Sequence, residues 1–345
     1  MRKLFSVLSI FLLPSLGLGQ DYQVPKTEYG HPVLQGVWNF NDNTPFERPR
    51  RYGNREYLTE DELVERLDGL NNLDRNQNAR EEGLSDRILE RPTNDTGAYN
   101  AFWSYFDESY PNKRTSLIVY PKDGRIPSTQ RGVIMQQSPP GSNPCNDGEV
   151  IVAHRPVRIA WGGVSCDRPE DFALATRCLL FPQTVAPYIK ANSYNNNIQI
   201  VQTRDHVMMK SELGNDPRII PLDGRPYLDE RIRYWTGSSR GRWEGDTLVV
   251  ETRHFTYKLA SLLLRTESYG SAENLVLTER FTRVAENALD YEFTIDDPDT
   301  FSDKITVKTN MSALNASIYE FACHEGNYAL ENMLRAARLK SQKMQ

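Results

Sequence analysis

The sequence has little that would indicate a metal, a nucleotide cofactor or a nucleic-acid partner. Its five histidines and four cysteines show no H-E-x-x-H, H-x-H or C-x-x-C spacing, which argues against a zinc site and thiol redox chemistry. Walker and dinucleotide-binding glycine patterns are missing, so we expect no cofactor. Positive charge is not in excess either. The formal net charge of −5 repels phosphate backbones and argues against nucleic acid as a partner.

Long apolar runs are also missing after the N-terminus. Arg2 and Lys3 precede the apolar run 4–13, and the small-residue end 17–19 follows it. This pattern predicts a secretory signal peptide over 1–19. Because a membrane helix needs about 20 apolar residues, we expect no membrane span in the mature chain. The predicted product is secreted or periplasmic, and loss of the two positive charges in the signal peptide changes its formal charge from −5 to −7.

The remaining chain, 20–345, is expected to form a single β-rich domain, since no linker interrupts it. An apolar content of 39% with 10% aromatic residues is sufficient for one large core. In an exported chain the cysteines are expected to form two disulfides, for which three connectivities exist. We favour Cys145 with Cys166 and Cys178 with Cys323. Four buried, reduced thiols are the alternative.

Short segments in which apolar and polar residues alternate dominate the second half and predict strands. Acidic residues after Thr59 indicate a helix that continues to about Glu90, an N-terminal excursion from the sheet. Apolar residues at helical spacing predict a C-terminal amphipathic helix over 327–340. The Asp-Gly turn at 123–124 indicates a hairpin between 116–120 and 125–127. Many short strands with turns between them predict an antiparallel β-barrel or a β-sandwich. The main predicted strands are 34–40, 198–203, 207–210, 247–252, 275–281, 289–295 and 304–308.

Five segments of the mature chain share features with one protein family: 36–40, 116–127, 194–203, 239–252 and 323–332. Together they resemble an uncharacterised family of exported bacterial proteins. The resemblance covers most of the mature chain and implies secretion and a β-rich fold. In addition, Gly36-Val37-Trp38 resembles the Gly-x-Trp of the first strand of lipocalins, which implies a lipocalin-like barrel.

The segment Gly237–Gly241 matches the G-x-S-x-G pattern of a serine-hydrolase nucleophile elbow. That elbow requires a strand before the serine and a helix after it. Here a turn and the predicted strand 247–252 follow. We therefore interpret the match as a loop that enters a hairpin.

Residues 323–328 bring an imidazole, a carboxylate and a phenol together between a predicted strand and a predicted helix. An imidazole side chain such as that of His324 could move a proton within hydrogen-bond reach of a substrate, with Glu325 or Tyr328 as its partner. His254, just after the strand 247–252, is the second imidazole candidate. The structural alternatives are that His324 and Glu325 stabilise the helix junction and that His254 lies at a rim without a role.

Further polar and aromatic residues could hold a ligand. A guanidinium fork suits a carboxylate, an amide suits polar groups, and aromatic faces beside guanidinium groups suit a sugar or an aromatic ring. The alternatives are ordinary asparagine turns and cation-stacked surface pairs. The candidates are Arg177, Asn196, Arg225, Trp235, Arg240 and Trp243.

These features favour an exported, cofactor-independent enzyme that acts on a small molecule by acid/base chemistry in a barrel cavity, such as a lyase, dehydratase or isomerase. A non-catalytic periplasmic carrier for a small hydrophobic or aromatic ligand is the main alternative. A structural or cell-envelope interaction protein is the third class. An enzyme requires a histidine that faces a cavity, a carrier requires a mostly apolar cavity, and an interaction protein requires an exposed apolar patch.

Overall fold

The computed structural model describes residues 22–85, 112–137 and 156–344, with the exception of 183, 192, 193, 215 and 266. The predicted signal peptide, Cys145 and the end of the predicted N-terminal helix beyond residue 85 lie outside these residues. The pairing of Cys145 with Cys166 therefore stays a prediction.

The described part of the chain is mainly β, as predicted. Alternation of buried and exposed side chains is regular in the long C-terminal strands, which explains why the sequence pattern located them. The strands are β1 (Gly36–Asn39), β2 (Ile118–Tyr120), β3 (Met135–Gln137), β4 (Asn197–Gln202), β5 (His206–Ser211), β6 (Arg218–Pro221), β7 (Ser238–Glu244), β8 (Thr247–Arg253), β9 (Leu262–Leu263), β10 (Glu267–Tyr269), β11 (Val276–Ala285), β12 (Ala288–Asp296) and β13 (Ile305–Leu314). The helices are α1 (Glu60–Ser85) and α2 (Tyr328–Met344).

The main sheet is a nearly closed antiparallel barrel. Its strand order is β6-β5-β4-β1-β13-β12-β11-β8-β7, and β2 adds to β13. Around the barrel the strands follow one another in chain order, and β1 pairs with the last strand through Val37 and Leu314. The barrel prediction is thereby confirmed. A separate small sheet has the order β3-β10-β9.

The opening in the barrel lies between β6 and β7. Glycine at 241 allows these two strands to approach closely, because a Cβ there would lie 2.7 Å from a methyl carbon of Leu222 and 2.8 Å from one of Ile220. The guanidinium of Arg240 donates to the carbonyl oxygens of Arg225 and Pro226, beyond the end of β6. Side-chain contacts thus connect the two edges.

Apolar and aromatic side chains fill the described interior of the barrel. Tyr188, from the loop segment before β4, stacks on Phe293 with ring centroids 4.4 Å apart. Its hydroxyl accepts a hydrogen bond from the backbone N–H of Leu263 (2.8 Å). Deeper inside, Arg218 donates to the Glu279 carboxylate (3.0 Å), and the Tyr291 hydroxyl donates to the same carboxylate (2.7 Å). The interior is therefore a packed core with a buried polar group.

The two helices lie where the sequence placed them. Thr59 and Glu62 form a reciprocal capping box at the start of α1, since Thr59 N–H donates to the Glu62 carboxylate (2.8 Å) and Glu62 N–H donates to the Thr59 hydroxyl (3.3 Å). The apolar face of α2 packs on Cys166 and Phe172 through Leu334 and its neighbours. The predicted N-terminal excursion and C-terminal helix are confirmed.

The predicted hairpin over 116–127 is wrong. Residues 118–120 form β2, but they pair with β13 and not with 125–127. The segment before α1 takes the place of the return strand, because Leu117 N–H donates to Pro45 O and Ile118 N–H donates to Phe46 O. Arg48 N–H donates to the carbonyl oxygen of Gly124, so the same segment also pairs with the 121–124 turn.

Candidate functional site

A disulfide between Cys178 and Cys323 joins the middle of the chain to the segment before α2, as the sequence analysis favoured. The Cα atoms are 5.7 Å apart and 145 positions separate the two residues in sequence. Asn327 reinforces this junction, since its side-chain amide donates to the Cys178 sulfur and to Thr176 O, both at 3.3 Å. The junction therefore has a covalent bond and a polar clamp.

A cavity of about 180 Å³, which we call the disulfide cleft, lies beside this bond. Phe181, Trp235 and Phe321 line it together with aliphatic residues, and Phe181 and Phe321 meet edge to face with centroids 5.4 Å apart. Trp235 packs partly on the core and presents the rest of its side chain to the cleft. Polar groups complete the lining. They are contributed by Thr184, Ser211, Asp216, Thr236 and His324.

Of the four acid/base candidates, only His324 lines the disulfide cleft. Its side chain is exposed, and the exposed Asp216 lines the same cleft. Glu325 and Tyr328 are also exposed but do not line it, and the Tyr328 side chain is 72% accessible. His324 instead contributes its backbone carbonyl to the helix junction by accepting from Asn327 N–H (3.3 Å). The imidazole, carboxylate and phenol of 324–328 therefore do not converge on one cavity.

His254 lies elsewhere, immediately after β8, with a left-handed backbone (φ 58°). Its ring meets Tyr227 edge to face at 5.8 Å. Burial lowers the pKa of His254, and the nearby Arg233 guanidinium lowers it further, so the neutral imidazole is favoured. Among the described residues, its Nδ1 is buried without a hydrogen-bond partner. This residue does not line the disulfide cleft.

Two of the three arginines proposed as ligand anchors, Arg225 and Arg240, form side-chain contacts within the protein. Arg225 makes an ion pair with Asp223 through its Nε, 2.8 Å from the carboxylate. Arg240 stacks over the Tyr227 ring at 5.0 Å while it donates to the carbonyls beyond β6. The half-buried Arg177 does not line the cleft, and burial lowers the pKa of its guanidinium, an effect that the nearby Glu170 opposes.

Asn196 and Trp243 likewise form contacts within the protein. Asn196 is fully buried and its amide donates to the Asn41 side chain (3.2 Å). Trp243 stacks on His31 with centroids 5.3 Å apart, so the N-terminal segment covers its indole. Trp235 is thus the ligand candidate that the structure places in the same cavity as a histidine candidate.

The serine-elbow pattern lies inside a strand. Ser238–Gly241 belong to β7, which pairs with β8. The Ser239 hydroxyl is buried and lies 2.8 Å from the Thr252 hydroxyl. The geometry of a nucleophile elbow is therefore not formed. The interpretation of this segment as a loop is also wrong, because Ser238–Gly241 belong to the first strand of the hairpin.

Sequence reasoning did not identify the cleft residues Phe181, Asp216 and Phe321. They come from irregular segments that approach one another only in the fold. The sequence did indicate that the segments around Cys178 and Cys323 lie close together, because the predicted disulfide requires the two cysteines to meet. No local pattern indicated that Asp216 would join them.

Comparison of the chain with protein-family models, with curated proteins and with solved structures gave no match. Within the described ranges, no group of three or more His, Cys, Asp or Glu side chains is arranged to hold a metal ion. No helix in the described part of the chain is both long and apolar enough to cross a membrane.

Proposed function

We propose that the protein is an exported enzyme that binds a small molecule in the disulfide cleft and transfers a proton through His324. The observation that supports this is the shared lining of the cleft by His324, Asp216 and Trp235. A ligand held there would meet a titratable imidazole, a carboxylate and an aromatic face at once. A lyase, dehydratase or isomerase reaction that needs no cofactor is the chemistry we assign to it.

Each wall of the cleft has a separate role in this proposal. Trp235, Phe181 and Phe321 hold the flat or apolar part of the substrate. His324 takes or gives the proton, because imidazole exchanges protons near neutral pH. Asp216 orients the substrate or the imidazole by accepting a hydrogen bond. The volume of about 180 Å³ restricts the substrate to a small molecule.

Export is part of the proposal. The predicted signal peptide lies outside the described residues, and the Cys178–Cys323 bond is the structural feature that supports an oxidising compartment. A secreted or periplasmic location is consistent with that bond.

A carrier for a small aromatic ligand is the second candidate. The three aromatic side chains in the cleft wall favour it, and so does the position of Glu325 and Tyr328 outside the cleft. A carrier would use Trp235 and the two phenylalanines for affinity, and His324 would only fix the orientation of the ligand.

A thermal-shift screen against a metabolite set, followed by NMR of each hit, separates these two functions. A ligand that binds only the native state raises the melting temperature. We expect that His324→Ala still binds the hit but no longer consumes it, while the matched variant His254→Ala both binds and consumes it. Consumption by His324→Ala at the wild-type rate would refute the proton-transfer role. Hits that wild type binds and never consumes would favour the carrier.

A further inference from the structure

A second cavity lies on the outer wall of the barrel, away from the residues of the disulfide cleft. Its volume is about 270 Å³, and we call it the polar cleft. Outward side chains of β11, β12 and β13 form its floor, and Asn112 and Arg114 also line it. Pockets for drug-sized ligands occupy roughly 300–1,000 Å³, so this cleft suits a smaller molecule.

The floor consists of two neighbouring cross-strand rows. In the first row, Glu292 of β12 is directly opposite Arg280 of β11 on one side and Lys308 of β13 on the other. In the second row, Asp290 is opposite Thr282 on one side and Asn310 on the other. The sheet register therefore fixes a dense array of hydrogen-bond donors and acceptors on one small surface.

The charges of the first row are balanced within the protein. Lys308 Nζ lies 2.8 Å from the Glu292 carboxylate, and Arg280 Nη1 lies 3.0 Å from the Glu244 carboxylate. Arg114 stacks over the Tyr57 ring at 5.0 Å. A free anion or cation would have to compete with these pairs, whereas a neutral polar ligand would not.

Asp290 is the central group of the second row. The Asn310 amide donates to its Oδ1 at 2.5 Å. Burial raises the pKa of Asp290, and Lys308 and Asn310 oppose that effect. The Asp290 carboxylate has two oxygens that can accept hydrogen bonds, and the Asn310 amide occupies only one of them, which suits a hydroxyl donor on a ligand.

We propose that the polar cleft is a binding site for a neutral, polyhydroxylated molecule of the size of one sugar ring. Sugar hydroxyls both donate and accept, and they match a surface on which carboxyl, amide, hydroxyl and guanidinium groups alternate. The cleft presents little apolar side-chain surface, so an aromatic or aliphatic ligand is disfavoured. This site is independent of the proton-transfer function assigned to the disulfide cleft.

Saturation-transfer NMR on the full chain tests this assignment. The probes are glucose, galactose, mannose and N-acetylglucosamine, with inorganic phosphate and spermidine as charged comparisons. We expect at least one sugar to bind wild type and Asp290→Ala to weaken its affinity about tenfold or more, which corresponds to ~1.4 kcal/mol. Thr294→Ala is the matched control, because Thr294 lies on the same face of β12 and does not line the cleft. It should bind as wild type does.

Three results would overturn the assignment. The first is the absence of binding by all four sugars, and the second is equal sugar binding by wild type and Asp290→Ala. The third is binding of phosphate or spermidine that Asp290→Ala alters while no sugar binds, which would identify a site for ions. Circular dichroism of both variants establishes that they are folded, and neither substitution removes a core side chain.

Discussion

Arg218 and Glu279 form an ion pair inside the barrel, with Arg218 Nη1 2.8 Å from Glu279 Oε2 and both side chains at most 1% exposed. Arg218 lies on β6, at one edge of the barrel opening, and Glu279 lies on β11. The Tyr291 hydroxyl binds the same carboxylate, and the Ile189 N–H donates to that hydroxyl (3.1 Å). The pair therefore connects the edge strand to the opposite part of the barrel and to a loop.

Removal of one charge from this pair should destabilise the protein strongly. Glu279→Gln leaves the guanidinium of Arg218 buried without a compensating charge, which costs about 3 kcal/mol or more in the free energy of unfolding. Urea titration followed by circular dichroism measures this loss. Asp296→Asn is the control, because the Asp296–Lys304 pair is exposed and its loss should cost less than about 1 kcal/mol.

The double variant Arg218→Met/Glu279→Leu extends this test. Replacement of both partners by apolar side chains removes the uncompensated charge, so the double variant should recover stability relative to Glu279→Gln. If Glu279→Gln were no less stable than Asp296→Asn, the pair would have no role in holding the barrel edge.

Lys190 should make the stability of the protein depend on pH. Burial of its ammonium group, with the Arg265 charge near it, lowers the pKa of Lys190 to about 8. Between pH 8 and the ordinary lysine value of about 10.4 the unfolded chain binds more protons at this position, so the free energy of unfolding rises with pH. Lys190→Met should abolish this rise and stabilise the protein at pH 7 by on the order of 2 kcal/mol.

Urea unfolding at a series of pH values from 7 to 10 measures the effect of Lys190. Lys304→Met is a suitable comparison. Hydrogen bonding to Asp296 raises the pKa of Lys304 in the folded protein. The contribution of Lys304 to the free energy of unfolding is therefore constant at pH values below the pKa of lysine in the unfolded chain. That variant should keep the wild-type slope. An unchanged slope in Lys190→Met would show that the ammonium is solvated.

The Cys178–Cys323 bond should contribute strongly to stability because it closes a long loop. With 145 positions between the two cysteines, its loss should reduce the free energy of unfolding by about 3–5 kcal/mol. The double variant Cys178→Ala/Cys323→Ala should show this loss under non-reducing conditions. Asn327→Ala keeps the bond while it removes the polar clamp, and it should cost only about 1 kcal/mol.

Non-reducing peptide mapping checks the bond itself. The expected product is a peptide pair that contains Cys178 and Cys323 and separates on reduction. A linkage of either cysteine to Cys145 or Cys166 would contradict the structure.

Local patterns were sufficient to predict most strands and a barrel or sandwich, but not which strands become neighbours. In β12, the buried Leu289, Tyr291, Phe293 and Ile295 alternate with polar residues, so the inward face follows from sequence. The pairing of β1 with β13 joins distant parts of the chain, and alternation carries no information on which strands become neighbours. The burial of Arg218 could not be predicted either, because an arginine in a short strand is normally solvent-exposed. Its partner Glu279 is far away in sequence, so no local pattern indicated the ion pair.

The candidate site was only partly predictable for the same reason. His324 could be placed near Cys178 because an even number of cysteines in an exported chain implies disulfides. Asp216 and Phe181 reach the cleft through irregular loops, which have no periodic signal. Trp243 and Trp235 are alike in sequence context, and only the fold shows that His31 covers the first while the second lines a cavity.

The most direct test of the account is the affinity of a ligand from the thermal-shift screen for Trp235→Leu and Trp243→Leu. Each substitution replaces an indole side chain with leucine, but of the two residues only Trp235 lines the disulfide cleft. Isothermal titration calorimetry should show a loss of about tenfold or more for Trp235→Leu, or ~1.4 kcal/mol, and an affinity near that of wild type for Trp243→Leu. Equal affinity of Trp235→Leu and wild type would contradict the assignment of the disulfide cleft as the functional site.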